Sequence, residues 1–414
     1  MDPRVKNRPV HAPMDQHPII NGELSIGNTP ISRLSEQAGQ TPFYAYDRKL
    51  ISERVQHLRN SLPEAIHLHY AIKANPMPAI VQHLAGLVDG FDLASAGEMK
   101  TALDTTMPAD KISMAGPGKT DKELRQAIAA GVAINLESQS EMRRADQIGK
   151  ELEIIPRVAV RVNPDYDLKS SGMKMGGGPK QFGVDVEQAP GMLKELGALE
   201  LKFVGFHIFW GSQNLNPDAI MEAHKQTFDL AIQLSEHAPN AVQSLNIGGG
   251  LGIPYFPGEK RLDLAPIGEN LNDLLPSLKA QLPEAEIITE LGRYIVGEAG
   301  LYICKIIDIK TSRGEKFLIT DGGLHHHLAA SGNFGQVIRK NYPVAIATKM
   351  DSTQLETANI VGPLCTPLDI LANKMELPQA EPGDLVAIYQ SGAYGLTASP
   401  SHFLSHPPCV ELLI

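Results

Sequence analysis

From about residue 43 onward, short apolar clusters rich in Val, Ile and Phe alternate with longer amphipathic stretches. The clusters begin near Ile66 (IHLHYA), Gly90 (GFDLAS), Lys111 (KISMAG), Val132 (VAINLES), Arg157 (RVAVRVNP), Lys202 (KFVGFHIFW), Ser244 (SLNIGGG) and Glu286 (EIITELGRY). Each is bounded by Gly, Pro or polar residues, which predicts eight strands. The stretches between them read as helices. Thr120–Glu123 and Ser138–Glu141 have the spacing of capping boxes ahead of apolar runs. Between Pro217 and His237, residues Ile220, Phe228, Ala231 and Leu234 recur at roughly helical intervals. Eight strands alternating with helices predict an α/β fold, a (β/α)8 barrel. An open doubly wound sheet is the alternative on pattern alone.

After Gly300 the pattern changes. The runs LYICKIIDIK, KFLITDGG, TANIVGPLC and DLVAIYQSGAYG follow without long helices between them. They predict a second, mainly β domain, to which a strand at Phe43–Tyr46 could add. The expected division is a barrel over 47–293, with 1–46 and 294–414 forming a β-sandwich or β-barrel domain.

Composition narrows the class. Of 414 residues, 43% are hydrophobic and 20% charged, as in a folded globular protein. The net charge is −10 and no basic run interleaves with aromatics, so nucleic acid is not an expected partner. No apolar stretch is long enough for a bilayer, and the first residues lack the apolar core of a signal peptide. Three cysteines, Cys304, Cys365 and Cys409, make no disulfide framework, which fits a reducing cytoplasm.

In a barrel, chemistry sits where strands end. The first strand runs into Lys73, in YAIKAN. A lysine there is either a nucleophile toward an aldehyde, its amine activated by desolvation, or a side chain snorkelling outward. The seventh strand ends in Gly248, Gly249 and Gly250, and the eighth in Glu290, Leu291, Gly292 and Arg293. Loops after strands seven and eight often hold a phosphate. A lysine plus a phosphate site suggests pyridoxal 5′-phosphate. Glu290 would then keep the pyridine nitrogen protonated; a strand-end ion pair with Arg293 is its plainer reading. Arg161 reads as an interior partner of Asp92 or of the ring hydroxyl. His207 and Phe209 share a strand face, Ser212 is a candidate phosphate ligand, and Tyr394 sits beside a phosphate or substrate. Cys365, after a tight turn, could deliver a proton or be a plain free thiol. A metal reading of His325–His327 fails for want of a carboxylate at ligand spacing, so no metal is expected. The loop with Lys174 and Lys180 reads as a mobile lid or as a basic rim for an anionic substrate.

The segments YAIKAN, FDLASAGE, RVNPD, QFG, GSQ, GGG, ELGR, GPLC and GAYG, in this order, resemble the barrel-type (fold type III) pyridoxal-phosphate decarboxylases, the diaminopimelate and ornithine decarboxylase family. The resemblance runs from Phe43 to about Pro408. It implies a C-terminal domain of the alanine-racemase-like kind. Lys73 would carry the cofactor and Glu290 would meet the pyridine nitrogen. Gly248–Gly250, Gly292, Arg293, Ser212 and Tyr394 would hold the phosphate. It also implies a homodimer in which Cys365 of one subunit reaches the cofactor of the other. A racemase of the same architecture would place an arginine where Glu290 stands, and a non-catalytic cofactor-binding barrel would lack the β extension.

The chain departs from the main family at several places. Phe209 stands where a cofactor-stacking histidine is usual. Thr366 replaces the acidic residue after the cysteine, Ala329 an arginine, Tyr294 a serine and Leu291 a proline. Thr366, Tyr294 and His325 are the candidate substrate contacts. KMGGGPKQFG, DGGLHHHLAAS and GPLCTPLD are similar to a side branch of the family. That branch includes the butirosin-pathway decarboxylase of a carrier-protein-bound glutamyl group and decarboxylases associated with exosortase systems. The expected reaction is decarboxylation of an amino acid or amino-acyl group, with an acyl carrier protein as possible partner.

Overall fold

The computed structural model describes residues 9–165, 173–174 and 178–414. It divides into two compact units. One comprises Arg54–Gly252 and Leu262–Ile295; the other comprises the N-terminal segment to Glu53, Ile253–Arg261 and Val296–Ile414.

The first unit is a closed parallel barrel. Its strands are Ile66–Ala71, Gly90–Leu93, Ile112–Met114, Ala133–Leu136, Arg157–Asn163, Lys202–Ile208, Ser244–Gly249 and Glu286–Leu291. Each pairs with the next, and strand eight pairs back with strand one, Glu290 opposite His69. Strand four meets strand five with Asn135 opposite Ala159, so no edge is left open. Residues such as Phe91, Ile134, Val160, Phe206 and Ile287 are fully or almost fully buried, as parallel strands covered by helices require.

The helices start where their caps predict. Thr120 accepts the Glu123 N–H while the Glu123 carboxylate accepts the Thr120 N–H, opening the helix Asp121–Ala130. Ser138 likewise accepts the Glu141 N–H. The Glu141 carboxylate, however, reaches past the cap to the Glu137 N–H and to Lys119 Nζ, 2.9 Å away.

All eight strands bring a polar side chain to one belt near their C-terminal ends. In order these are His69, Asp92, Ser113, Asn135, Arg161, His207, Asn246 and Glu290, and all but Ser113 are buried. Arg161 stands opposite His207, and His207 opposite Asn246, in the strand register. His207 reaches Glu290 across strand seven, which only inward-facing residues can do.

The second unit is mainly β. Phe43–Tyr46 pairs antiparallel with Gly300–Ser312 and parallel with the C-terminal strand Val410–Leu413. The sheet continues through Leu385–Ile388 to Val344–Ile346 on one side. On the other it runs through Glu315–Thr320 and Leu355–Val361 to Ile370–Pro378. Its core joins Leu24, Ile26, Ile31 and Leu34 of the N-terminal segment to Phe43, Leu301, Ile303 and Ala387. Among the described residues, no helix is long and apolar enough to cross a membrane.

Candidate active site

The amine and carboxylate picked out by sequence come together. Strand one ends at Ala71, so Lys73 lies in the short 3-10 turn Ile72–Ala74 and not inside an apolar strand. There its side chain keeps 43% exposure, and Nζ stands 3.8 Å from Glu290 Oε1. The other carboxylate oxygen, Oε2, is 3.1 Å from His207 Nε2 and accepts a hydrogen bond from Asn246 Nδ2 at 3.2 Å. Asn246 Oδ1 in turn accepts the Gly248 N–H at 2.8 Å, tying the acid to the glycine turn. Thus Glu290 is engaged by Lys73, His207 and Asn246. Burial alone would push Glu290 up. The His207 and Lys73 groups, with Arg161 behind them, outweigh burial and hold Glu290 well below the usual carboxylate range.

The Phe209 ring lies 5.6 Å from Lys73 Nζ, a cation–π distance, and edge-on to His207 at 6.5 Å. Phe209 itself follows the strand, which ends at Ile208. Ser212 sits on the short bridge that pairs Gly211–Ser212 with residues 173–174. Residues 175–177 of the Lys174–Lys180 loop, read from sequence as a lid or basic rim, lie outside the described residues. Gly249 is indispensable to the turn: a Cβ there would fall 1.9 Å from the Glu290 carbonyl oxygen. Gly292 and Arg293 open the helix Arg293–Val296, and Tyr294 is buried under the Arg54 guanidinium at 4.6 Å.

Arg161 does not pair with Asp92. Its Nη1 donates to Glu137 Oε1 at 2.8 Å, both side chains being buried. Asp92 instead accepts from Ser113 Oγ at 2.5 Å and lies 3.4 Å from His69 Nδ1, while Asn135 donates to Ser113. The physical reason is register. Asp92 pairs across the sheet with Ser113, two strands and more from Arg161, whereas Glu137 follows strand four, the direct neighbour of strand five. His69, Ser113, Asn135, Asn246 and Glu137 were not singled out by sequence. For the first four the signal was present as lone polar residues in apolar strands; Glu137 follows its strand.

In the β unit, Cys365 is an exposed free thiol on the turn after Val361. Asp369 holds that turn: its two oxygens accept the Leu364 N–H at 2.9 Å and the Leu324 N–H at 2.7 Å. The DGG and GPLC segments are thereby tied together. Thr366, next after Cys365, is half-buried. His325, His326 and His327 lie on a turn, not on a strand, and all three are buried. His325 packs on His326 at 3.8 Å and His406 at 5.0 Å. Burial, with those two rings, pushes it down to about 3. Tyr394 is half-buried with a left-handed backbone, φ 54°. Among the described residues, no group of three His, Cys, Asp or Glu is placed to hold a metal ion.

A pyridoxal cofactor asks for an amine at a barrel mouth, an ionised carboxylate, an aromatic face and a glycine turn. Lys73, Glu290, Phe209 and Gly248–Gly250 supply these within one barrel, so the donor set fits. When bound, pyridoxal 5′-phosphate supplies an electron sink for the bond pair left behind as CO2 departs.

Fold and site together define a barrel-type pyridoxal-phosphate enzyme. Residues 48–297 match the model of the pyridoxal-dependent decarboxylase family, pyridoxal binding domain, and the chain belongs to that family. It is 39% identical to L-glutamyl-[BtrI acyl-carrier protein] decarboxylase of Niallia circulans, over 94% of this chain and 92% of that protein. It is 34% identical to the diaminopimelate decarboxylase of Aquifex aeolicus, over 95% and 91% respectively. The crystal structure of diaminopimelate decarboxylase from M. jannaschii in complex with L-lysine superposes with a TM-score of 0.86. There the identity is 27%, covering 97% of this chain and 93% of that one. The protein is therefore a pyridoxal-phosphate-dependent decarboxylase of biosynthetic amino-acid chemistry, and the racemase alternative falls.

Proposed function

We propose that this enzyme decarboxylates an amino-acyl group tethered to an acyl carrier protein, in preference to a free diamino acid. The observation that carries the reading is the 39% identity, over nearly the whole chain, to a relative named for a carrier-bound glutamyl substrate. The pocket residues support it. Ala329 is buried and apolar, and Thr366 is uncharged, so neither offers a charge to the far end of a free diamino acid. The test offers each amino acid free and as a phosphopantetheine thioester and follows CO2 release by mass spectrometry. Release from the thioester alone is expected. Comparable release from free diaminopimelate or ornithine would overturn the substrate assignment and leave the decarboxylase standing.

Within the same proposal, Lys73 holds the cofactor and Glu290 faces its ring nitrogen. Gly248, Gly249, Gly250, Gly292, Arg293, Ser212 and Tyr394 hold the phosphate. Phe209 covers the ring face, and His207, Arg161 and Asp92 orient Glu290 and the ring's polar atoms. Tyr294, Thr366 and His325 shape the substrate pocket. Cys365 Sγ gives the proton that replaces CO2 on the α-carbon. The barrel binds the cofactor and the β unit completes the site in a cytoplasmic homodimer. Three free thiols suit a reducing compartment. Val337 is fully exposed, with Ile338 76% and Leu368 58% exposed, apolar side chains that a second copy would cover.

A further inference from the structure

The QFG segment and the acid after strand four remain unaccounted for by the site as described. Glu137 is buried and makes three bonds to three different parts of the barrel rim. Its Oε1 accepts from Arg161 Nη1 at 2.8 Å and from the Gly116 N–H at 2.6 Å. Its Oε2 accepts the Gly183 N–H at 2.7 Å. Gly183 adopts φ +72°, and a Cβ there would crowd the Arg161 carbonyl and the Asn163 N at 3.0 Å. The residue before it, Phe182, lays its ring 5.0 Å from the Arg161 guanidinium carbon. The guanidinium is thus gripped by a carboxylate and covered by an aromatic face, both anchored to the same loop. Lys119 backs the acid: Nζ donates to the Gly116 and Asn135 carbonyls and pairs with Glu141, so the Gly116 turn is fixed from below. Arg161 neighbours His207 in the sheet register, and His207 touches Glu290.

We propose that Glu137 is a positioning residue for the decarboxylase: it fixes Arg161, with Phe182 as the cover, and thereby sets the charge that Arg161 presents to Glu290 and the cofactor. The proposal rests on the cofactor reading of Glu290 and Arg161. A glutamine cannot replace it. The amide has one acceptor oxygen for bonds that now use two, and it turns an N–H group toward Gly183 or Arg161. Arg161 would keep its charge but lose its fixed direction.

The test reads the pH midpoint of the bound cofactor's absorbance in holoenzyme, which a loss of stability alone does not move. E137Q is expected to shift that midpoint by about half a pH unit or more, because the Arg161 charge is no longer held in one place relative to Glu290. R161M is expected to shift it as well, and the E137Q/R161M double variant should match R161M alone, because Glu137 acts through Arg161. A wild-type midpoint in E137Q, or single shifts that add in the double variant, would overturn the proposal. F182L keeps both charges and guards against a poorly folded E137Q. It should move the midpoint in the same direction by less, and an unmoved midpoint counts against the clamp. E290Q separates the two levels. If it leaves the midpoint in place, the cofactor reading falls and this inference with it. If E290Q moves the midpoint and E137Q does not, only the role of Glu137 is lost.

Discussion

Glu290 is a buried acid that stays ionised, and the reason lies within a few ångströms. Desolvation of a lone carboxylate would cost several kcal/mol and protonate it. His207 at 3.1 Å, Lys73 at 3.8 Å and the Asn246 amide at 3.2 Å reverse that preference. An ionised acid at this point can hold a proton on a ring nitrogen, which a neutral amide of the same shape cannot. E290Q is therefore expected to bind cofactor yet lose turnover by about a hundredfold or more, the scale of one preorganised electrostatic group. Steady-state CO2 release checks this. A variant within about threefold of wild type would remove Glu290 from the chemistry. Loss of cofactor binding would make its role one of affinity alone.

Among the elements, the helix Pro217–Ser235 shows how a buried polar side chain leaves a pH signature. His224 lies on its inner side, buried, edge-on to Trp210 at 6.4 Å. Burial pushes it down to about 4, below the ordinary histidine value of 6.5. Between those values the unfolded chain binds a proton that the folded chain refuses, so stability rises with pH in that window. The contribution is complete above the unfolded value and is lost as pH falls from about 6.5 toward 4. Between pH 7 and pH 5 it amounts to about 2 kcal/mol. In urea unfolding, H224L should lose less stability over that interval than the wild type, by about this amount. Equal losses would place the acid sensitivity elsewhere. Local signals like the cap of Asp121–Ala130 were legible in the sequence because residues three apart, Thr120 and Glu123, write them. The eight strands were legible for the same reason. The polar belt was not, since Ser113, Asn135 and Asn246 each stand alone in the sequence and meet their partners only once the strands are in register. The His325–His327 run lies on a turn, a local geometry that its three identical residues do not write into the sequence. Arg161 found Glu137 instead of Asp92 because Glu137 follows strand four, the direct neighbour of strand five, whereas Asp92 sits on strand two.

At the scale of the whole molecule, the question is whether one chain suffices for one site. Lys73 belongs to the barrel unit and Cys365 to the β unit, on a turn that Asp369 holds in place. Each unit carries a chemically competent group, and the proposed reaction needs both at one α-carbon. A homodimer with shared sites predicts complementation between two impaired proteins. K73A should have no turnover, and C365A should be slow and leak to side products. After dissociation and equal mixing, half of the dimers are mixed, and each mixed dimer rebuilds one site with both wild-type groups. Activity should then return to about a quarter of wild type, above the residual rate of C365A alone. If Lys73 and Cys365 of the same chain share a site, every site in the mixture carries one lesion and no activity returns. Native mass spectrometry of the same mixture, with one variant carrying a longer tag, shows that mixed dimers formed, so an absent recovery counts directly against sites shared between subunits.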